Sequence, residues 1–447
     1  MDRITHFFRV LYLTPRLFII LGGIIGLFLA SYLLPQIFLM AQVALFLLIL
    51  FVVLDIVLIF RVKEGIKARR HVPDKFSNGD ENPIDIICTS AYRFGIKISI
   101  LDEVPFEFQW REKTFEHLLP SSSTHTFPYQ LRPVERGLYE FGKLNIYAWG
   151  PLELVRRRYI FNEGDEVPCY PSFIQMRKYQ LMAISHRLTD VGVKQIRRLG
   201  HTTEFEQIKE YISGDDYRTI NWKATARSGK LMVNQYIDER AQNIYCIIDK
   251  SRVMKMPFEG LTLLDYAINA SLVITGISTY RHDKAGLITF AEKIYDIVPA
   301  DSRSIQVNRI MEVLYNQETD FLEGDYGKLY TLIKRKVSQR SLLMLFTNFE
   351  SLDALHRQLP YLQRLAKMHL LVVIFFENTE LQELLEATPT TMEEAYIKTT
   401  AEDMAFTKRQ ITRELQRHGI LTILTPPKEL TVNALNQYLE IKSRGQI

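Results

Sequence analysis

The chain has 447 residues, enough for two or three domains. A net charge of +4 over that length makes no case for a nucleic-acid binder. Three cysteines, Cys88, Cys169 and Cys246, lie far apart without C-x-x-C spacing, which argues against a disulfide framework or a zinc site and suits a reducing compartment.

Residues 1–16 read as a cytosolic tail and residues 17–60 as a transmembrane helical hairpin. Two apolar runs, 17–34 and 37–60, each approach or exceed the roughly 20 residues a spanning helix needs. Only Pro35 and Gln36 separate them, so the helices must be antiparallel. A cleaved signal peptide is the alternative, but a second span follows at once with no polar segment between. Arg3, Arg9 and Arg16 precede the pair, and Arg61, Lys63, Lys67, Arg69 and Arg70 follow it. Cations therefore put both ends in the cytoplasm. Gly22, Gly26 and Ala30 form a small-residue face, expected to seal the hairpin or else to join a second copy. Asp55 is the one charge within the span. About 9 Å of helix separates it from Arg61, so it is expected at the interface beside the basic flank, with a proton-relay role as the minority reading.

Residues 61–175 read as a β-rich domain. Residues 84–89, 96–101 and 144–147 have strand character, punctuated by Asn78-Gly79, Pro105 and Gly137, which suggests a small β-sandwich. His71, His117 and His125 look isolated. Beyond a segment at 176–240, residues 241–447 change pattern. Short apolar runs at 244–248, 285–290, 342–346, 370–376 and 421–424 alternate with helical periods at 263–280, 305–315 and 352–365. This predicts a doubly wound, Rossmann-type α/β sheet, with any ligand just after Ile248 and Phe346.

The loop Asp249-Lys250-Ser251-Arg252-Val253 resembles the D-x-S-x-S loop of von Willebrand factor A domains, where a carboxylate and hydroxyls bind Mg²⁺. By that resemblance Thr319 would be a further ligand. Val253 replaces the second serine and Asn348 stands where the family has an aspartate, so any metal site is degenerate. Asp249 and Ser251 could equally cap a helix.

The run from Thr203 to Arg227 carries Glu204, Phe205, Tyr211, Gly214, Asp215, Arg218, Trp222 and Arg227. It resembles the signature E-F-x-x-L-R-x-Y-x-x-G-D-x-x-R-x-I-x-W-x-x-x-A-R of the bacterial domain-of-unknown-function-58 family, with Ile208 and Lys209 as departures. Arg136-Gly137-Leu138-Tyr139-Glu140-Phe141-Gly142 resembles that family's R-G-x-Y-x-F-G strand, followed by Trp149-Gly150-Pro151-Leu152-Glu153-Leu154 where the family has D-P-L-G-L. Residues 435–439 resemble its closing helix. The charges of the 203–227 run suit a docking network more than catalysis, since no nucleophile is evident; an uncharacterised enzyme using the Glu204–Arg227 segment is the rival. The resemblance implies a protein of the bacterial cytoplasmic membrane with a vWA-like domain on the cytosolic side. It further implies a non-enzymatic partner of a MoxR-type AAA+ ATPase, with an assembly role at the envelope and no certain cofactor.

Overall fold

The computed structural model describes residues 7–110, 114–161, 164–184, 204–212, 215–237, 241–319, 322–378, 385, 389 and 391–446. The chain divides into two compact units, Met1–Cys169 and Tyr170–Ile447.

The first unit opens with strand β1 (Leu11–Leu13) and helices α1 (Pro15–Ser31) and α2 (Ile37–Phe60). Of the two, α2 is long and apolar enough to cross a membrane, while α1 is apolar but shorter. Their seam consists of Leu17, Leu21, Ile24 and Phe28 against Ala44, Leu45, Leu48 and Val52. This corrects the expected glycine seam. A Cβ at Gly22 or Gly26 would meet nothing within 4 Å, so that face is open.

Ten strands follow: β2 (Ile66–His71), β3 (Phe76–Ser77), β4 (Asn82–Ser90), β5 (Ile96–Asp102), β6 (Thr114–Leu119), β7 (Thr124–Leu131), β8 (Gly137–Glu140), β9 (Leu144–Trp149), β10 (Val155–Phe161) and β11 (Glu166–Tyr170). One sheet runs β1-β10-β9-β5-β6, another β2-β4-β7, and β3-β11-β8 form a third. In β4, Ile84, Ile86 and Cys88 alternate inward and share a core with Ile98, Ile100, Ile146 and Ala148. His117 and His125 are stacked at 4.4 Å rather than isolated.

Two charges expected beside the membrane are instead parts of this domain. Arg70 has no exposed side-chain surface and is held by Asp102, Asp165 and the carbonyl of Gly142. Asp55 is fully buried and does not pair with the basic flank. Its carboxylate accepts from the backbone N–H groups of Leu152 (3.1 Å), Leu154 (3.0 Å) and Val155 (3.1 Å). Gly150 lies so close to that carboxylate that a Cβ there would collide with it. The carbonyls at the end of α2 are capped by Arg157, which donates to Ile59, Val62 and Lys63, while the Tyr92 hydroxyl also donates to Ile59.

The second unit holds helix α3 (Phe173–Ile184), strand β12 (Glu204–Glu210), helix α4 (Trp222–Ser228) and strand β13 (Met232–Ile237), with β12 and β13 antiparallel. Its sheet comprises β14 (Asn243–Asp249), β15 (Lys284–Phe290), β16 (Ile294–Asp301), β17 (Leu342–Phe346), β18 (Leu370–Phe376) and β19 (Leu421–Thr425) in the order β16-β15-β14-β17-β18-β19. All pairs are parallel except β15–β16. Numbered by sequence this is 3-2-1-4-5-6, a doubly wound sheet with its switch point between β14 and β17. Helices α5 (Leu263–Tyr280), α6 (Ile305–Tyr315) and α10 (Leu430–Arg444) cover one face with α3. The other face is covered by α7 (Tyr326–Lys336), α8 (Leu352–Met368) and α9 (Met392–Arg417). Alternation sorts the strands accordingly: Ile244, Cys246 and Ile248 enter the first core, Tyr245 and Ile247 the second.

Candidate functional site at the strand ends

The switch point is where the sequence places a ligand, and β14 ends there on Asp249, 1% exposed. Its Oδ1 accepts from the backbone N–H of Ser251 at 2.9 Å. Its Oδ2 accepts from Thr347 Oγ1 at 2.7 Å and from the Tyr326 hydroxyl at 3.2 Å, and those two hydroxyls lie 2.7 Å apart. Desolvation raises the Asp249 pKa above the ordinary carboxylate range despite those donors, and burial raises the Tyr326 phenol too. Gly324 packs against the same group, with a hypothetical Cβ 3.4 Å from Asp249 Oδ1.

A hydrated Mg²⁺ needs several oxygens around open space. Here Tyr326, at the start of α7, puts its hydroxyl 3.2 Å from Asp249 Oδ2. Asn348 turns away: its Nδ2 donates to the Val253 carbonyl at 3.4 Å and its Oδ1 accepts from Lys408. Thr319 is half-buried, while Asp249 is bonded to Ser251, Thr347 and Tyr326. The donor set fits a closed hydrogen-bonded knot and does not fit a divalent cation. The residues that hold Asp249 include two, Thr347 and Tyr326, that were not among the sequence candidates. Thr347 was the residue next to the predicted strand end, and Tyr326 lay in a helix the periodicity did not flag.

The 203–227 signature folds as its own hairpin. Glu204 and Phe205 lie on β12, and Gly214 falls outside the described residues. Tyr211 is partly buried and its N–H donates to the Leu231 carbonyl at 2.8 Å. Asp215 folds back, accepting from Lys209 Nζ at 2.8 Å and from the Ile212 N–H at 3.0 Å. Asp216 caps only a short 3₁₀ turn at Tyr217–Thr219; the helix begins at Trp222, capped by Asn221, whose Oδ1 accepts from the Ala224 N–H. Ion pairs in this segment include Lys209–Asp215 and Lys230–Glu210. Arg218 lies 5.7 Å from the Tyr217 ring centroid, and Arg227 sits exposed in the last turn of α4. Trp222 does not supply an inward apolar face. It is 70% exposed; Tyr217 and Ile212 of the same signature are 67% and 65% exposed.

Fold and centre define a doubly wound α/β domain whose strand-end centre is closed by its own hydroxyls, in a chain that also carries an antiparallel β domain. Residues 207–418 match the family described as Protein of unknown function DUF58. A relative, the "Uncharacterized protein YeaD" of Bacillus subtilis (strain 168), is 26% identical over 127 residues, 28% of this chain and 31% of that protein. The chain thus spans about a third of that relative's length. Among solved structures it is similar to the SpRpn10 VWA domain (9% identity, TM-score 0.28, covering 44% of this chain and 94% of that one). It is also similar to the conserved hypothetical protein BatB from Bacteroides thetaiotaomicron (12% identity, TM-score 0.28, covering 46% and 100%).

Proposed function

We propose that the protein is a membrane-anchored, non-enzymatic interaction module. Its partner is a MoxR-type AAA+ ATPase, and the pair has a chaperone-like or assembly role at the cell envelope. The observation that carries this reading is the exposed apolar surface of the signature hairpin, where Trp222, Tyr217 and Ile212 face solvent instead of a core. A signature that carries local caps and ion pairs such as Lys209–Asp215, yet presents an indole and a phenol to solvent, suits being covered by another protein. Mg²⁺ has no part in this reading, because Tyr326 and Thr347 already occupy the Asp249 carboxylate.

The test is capture from native membranes with nucleotide trapped, comparing the full chain with a Tyr217→Ala/Trp222→Ala variant. Recovery of an AAA+ ATPase by the wild type, falling at least tenfold with the variant, is expected. Both residues are exposed, so thermal stability should change by less than about 0.5 kcal/mol. Wild-type membranes that never yield such an ATPase would overturn the proposal.

A further inference from the structure

At the carboxyl ends of β14, β17 and β18 lies a cavity of about 600 Å³, within the 300–1,000 Å³ range of pockets that enclose a drug-sized ligand. Val253, Phe258, Leu263 and Phe376 give it an apolar lining. Helix α9 brings Met404 and Lys408 to it from one face, four residues apart.

Lys408 is its unusual feature. The ammonium donates to Asn348 Oδ1 and, at 2.8 Å, to the Phe349 carbonyl, and it lies 5.8 Å from the Phe375 ring centroid. Both oxygens belong to neutral groups. An ammonium has three N–H donors, so one remains. No carboxylate among the described residues lies within ion-pair distance of it; Glu350, the acid that influences it, is exposed. A cation held in apolar surroundings by neutral acceptors alone keeps most of its desolvation cost, and an incoming anion would offset it. Among the described residues the rim also carries Arg252 and Arg409 with Glu350 and Glu377, and Arg252 pairs with Glu323 at 3.6 Å.

We propose that this cavity is a docking pocket for a carboxylate on a partner protein, carried beside apolar side chains, with the Lys408 ammonium as its receptor. The carboxylate comes from an Asp or Glu side chain or from a chain terminus, and the apolar neighbours fill the Phe258–Phe376 lining. The position follows from the closed Asp249 centre. With the Asp249 carboxylate held by hydroxyls, the amine that Asn348 accepts from offers a positive group at this sheet edge. The proposal rests on the interaction-module reading and specifies where one contact is made.

The experiment pans a display library of random heptapeptides on the full chain in lipid nanodiscs, alongside Lys408→Met and Asn348→Asp. Asn348→Asp keeps the amine and the apolar lining but gives Lys408 an internal counter-ion, so it separates lost recognition from lost folding. Wild type is expected to select Asp or Glu next to Leu, Phe or Met, and both variants to lose that choice. Synthetic copies should bind wild type at least tenfold tighter than their Asn or Gln analogues, with no such difference on either variant. Free-acid and amidated copies tell a terminal carboxylate from a side-chain one. Selection without acidic residues, or an acidic preference that persists in both variants, would overturn the pocket. ATPase capture unchanged by Lys408→Met, yet lost with the Trp222 variant, would remove this pocket and leave the interaction reading standing.

Discussion

Lys408 should report its surroundings through pH. Burial lowers its pKa to about 8 from the ordinary 10.5. Between those values the unfolded chain holds a proton that the folded chain has released, so stability rises with pH across that window. Below about pH 8 the folded protein carries the cost of a charged, half-buried amine. Wild type is therefore expected to gain thermal stability between pH 8 and 10, whereas Lys408→Met should lack that rise and exceed wild type most near pH 7. Melting temperatures of the two at pH 7 and pH 10 decide it; parallel shifts would mean the amine is not held as described. The Asp249 centre is different in kind. Its raised pKa reflects desolvation only partly offset by Ser251, Thr347 and Tyr326, and each of those donors comes from the protein itself.

At the scale of elements, legibility followed burial. Residues 342–346 and 370–376 are continuous apolar runs, buried on both faces, and such strands announce themselves. The edge strand β16 did not, because only Val298 of its eight residues is buried and no alternation develops. Helix α9 was missed for a related reason. Across 26 residues it buries only Ala401, Ile411 and Leu415, so its period is faint, although Lys408 sits on it. The role of Asp55 was beyond sequence reading altogether, since the N–H groups it binds lie 97 to 100 residues away. That carboxylate, with Arg157 at the helix end, fixes α2 to the loop before β10. Asp55→Ala would leave three backbone donors without their acceptor, costing about 3 kcal/mol or more. Asp55→Asn keeps one oxygen acceptor and should cost less. Ranked unfolding temperatures in nanodiscs, with Asp55→Ala lowest, are the expected result; an Ala variant as stable as wild type would show the clamp to be idle.

For the whole molecule the same loop bears on topology. Thr14, just before α1, donates its hydroxyl to the carbonyls of Glu153 and Leu154, while Asp55, in the last turns of α2, binds the N–H groups of Leu152, Leu154 and Val155. The start of one apolar helix and the end of the next thus meet on one short segment, as they must if both helices cross and return. At 24 residues α2 is about 36 Å long, enough for a hydrocarbon core of about 30 Å. The proposed orientation rests on cations other than Arg70, which belongs to the domain core: Arg61, Lys63 and Arg69, after α2 in the chain, are exposed. Five residues separate the end of α2 from the start of the β domain at Ile66, so if α2 spans the membrane that domain lies on the face that carries those cations. Protease added to inverted membrane vesicles is therefore expected to digest everything beyond residue 61, while right-side-out vesicles protect it until they are lysed. Detergent, but not alkaline carbonate, should release the intact chain. Digestion from the outer face would reverse the orientation and, with it, exclude a cytosolic ATPase as partner.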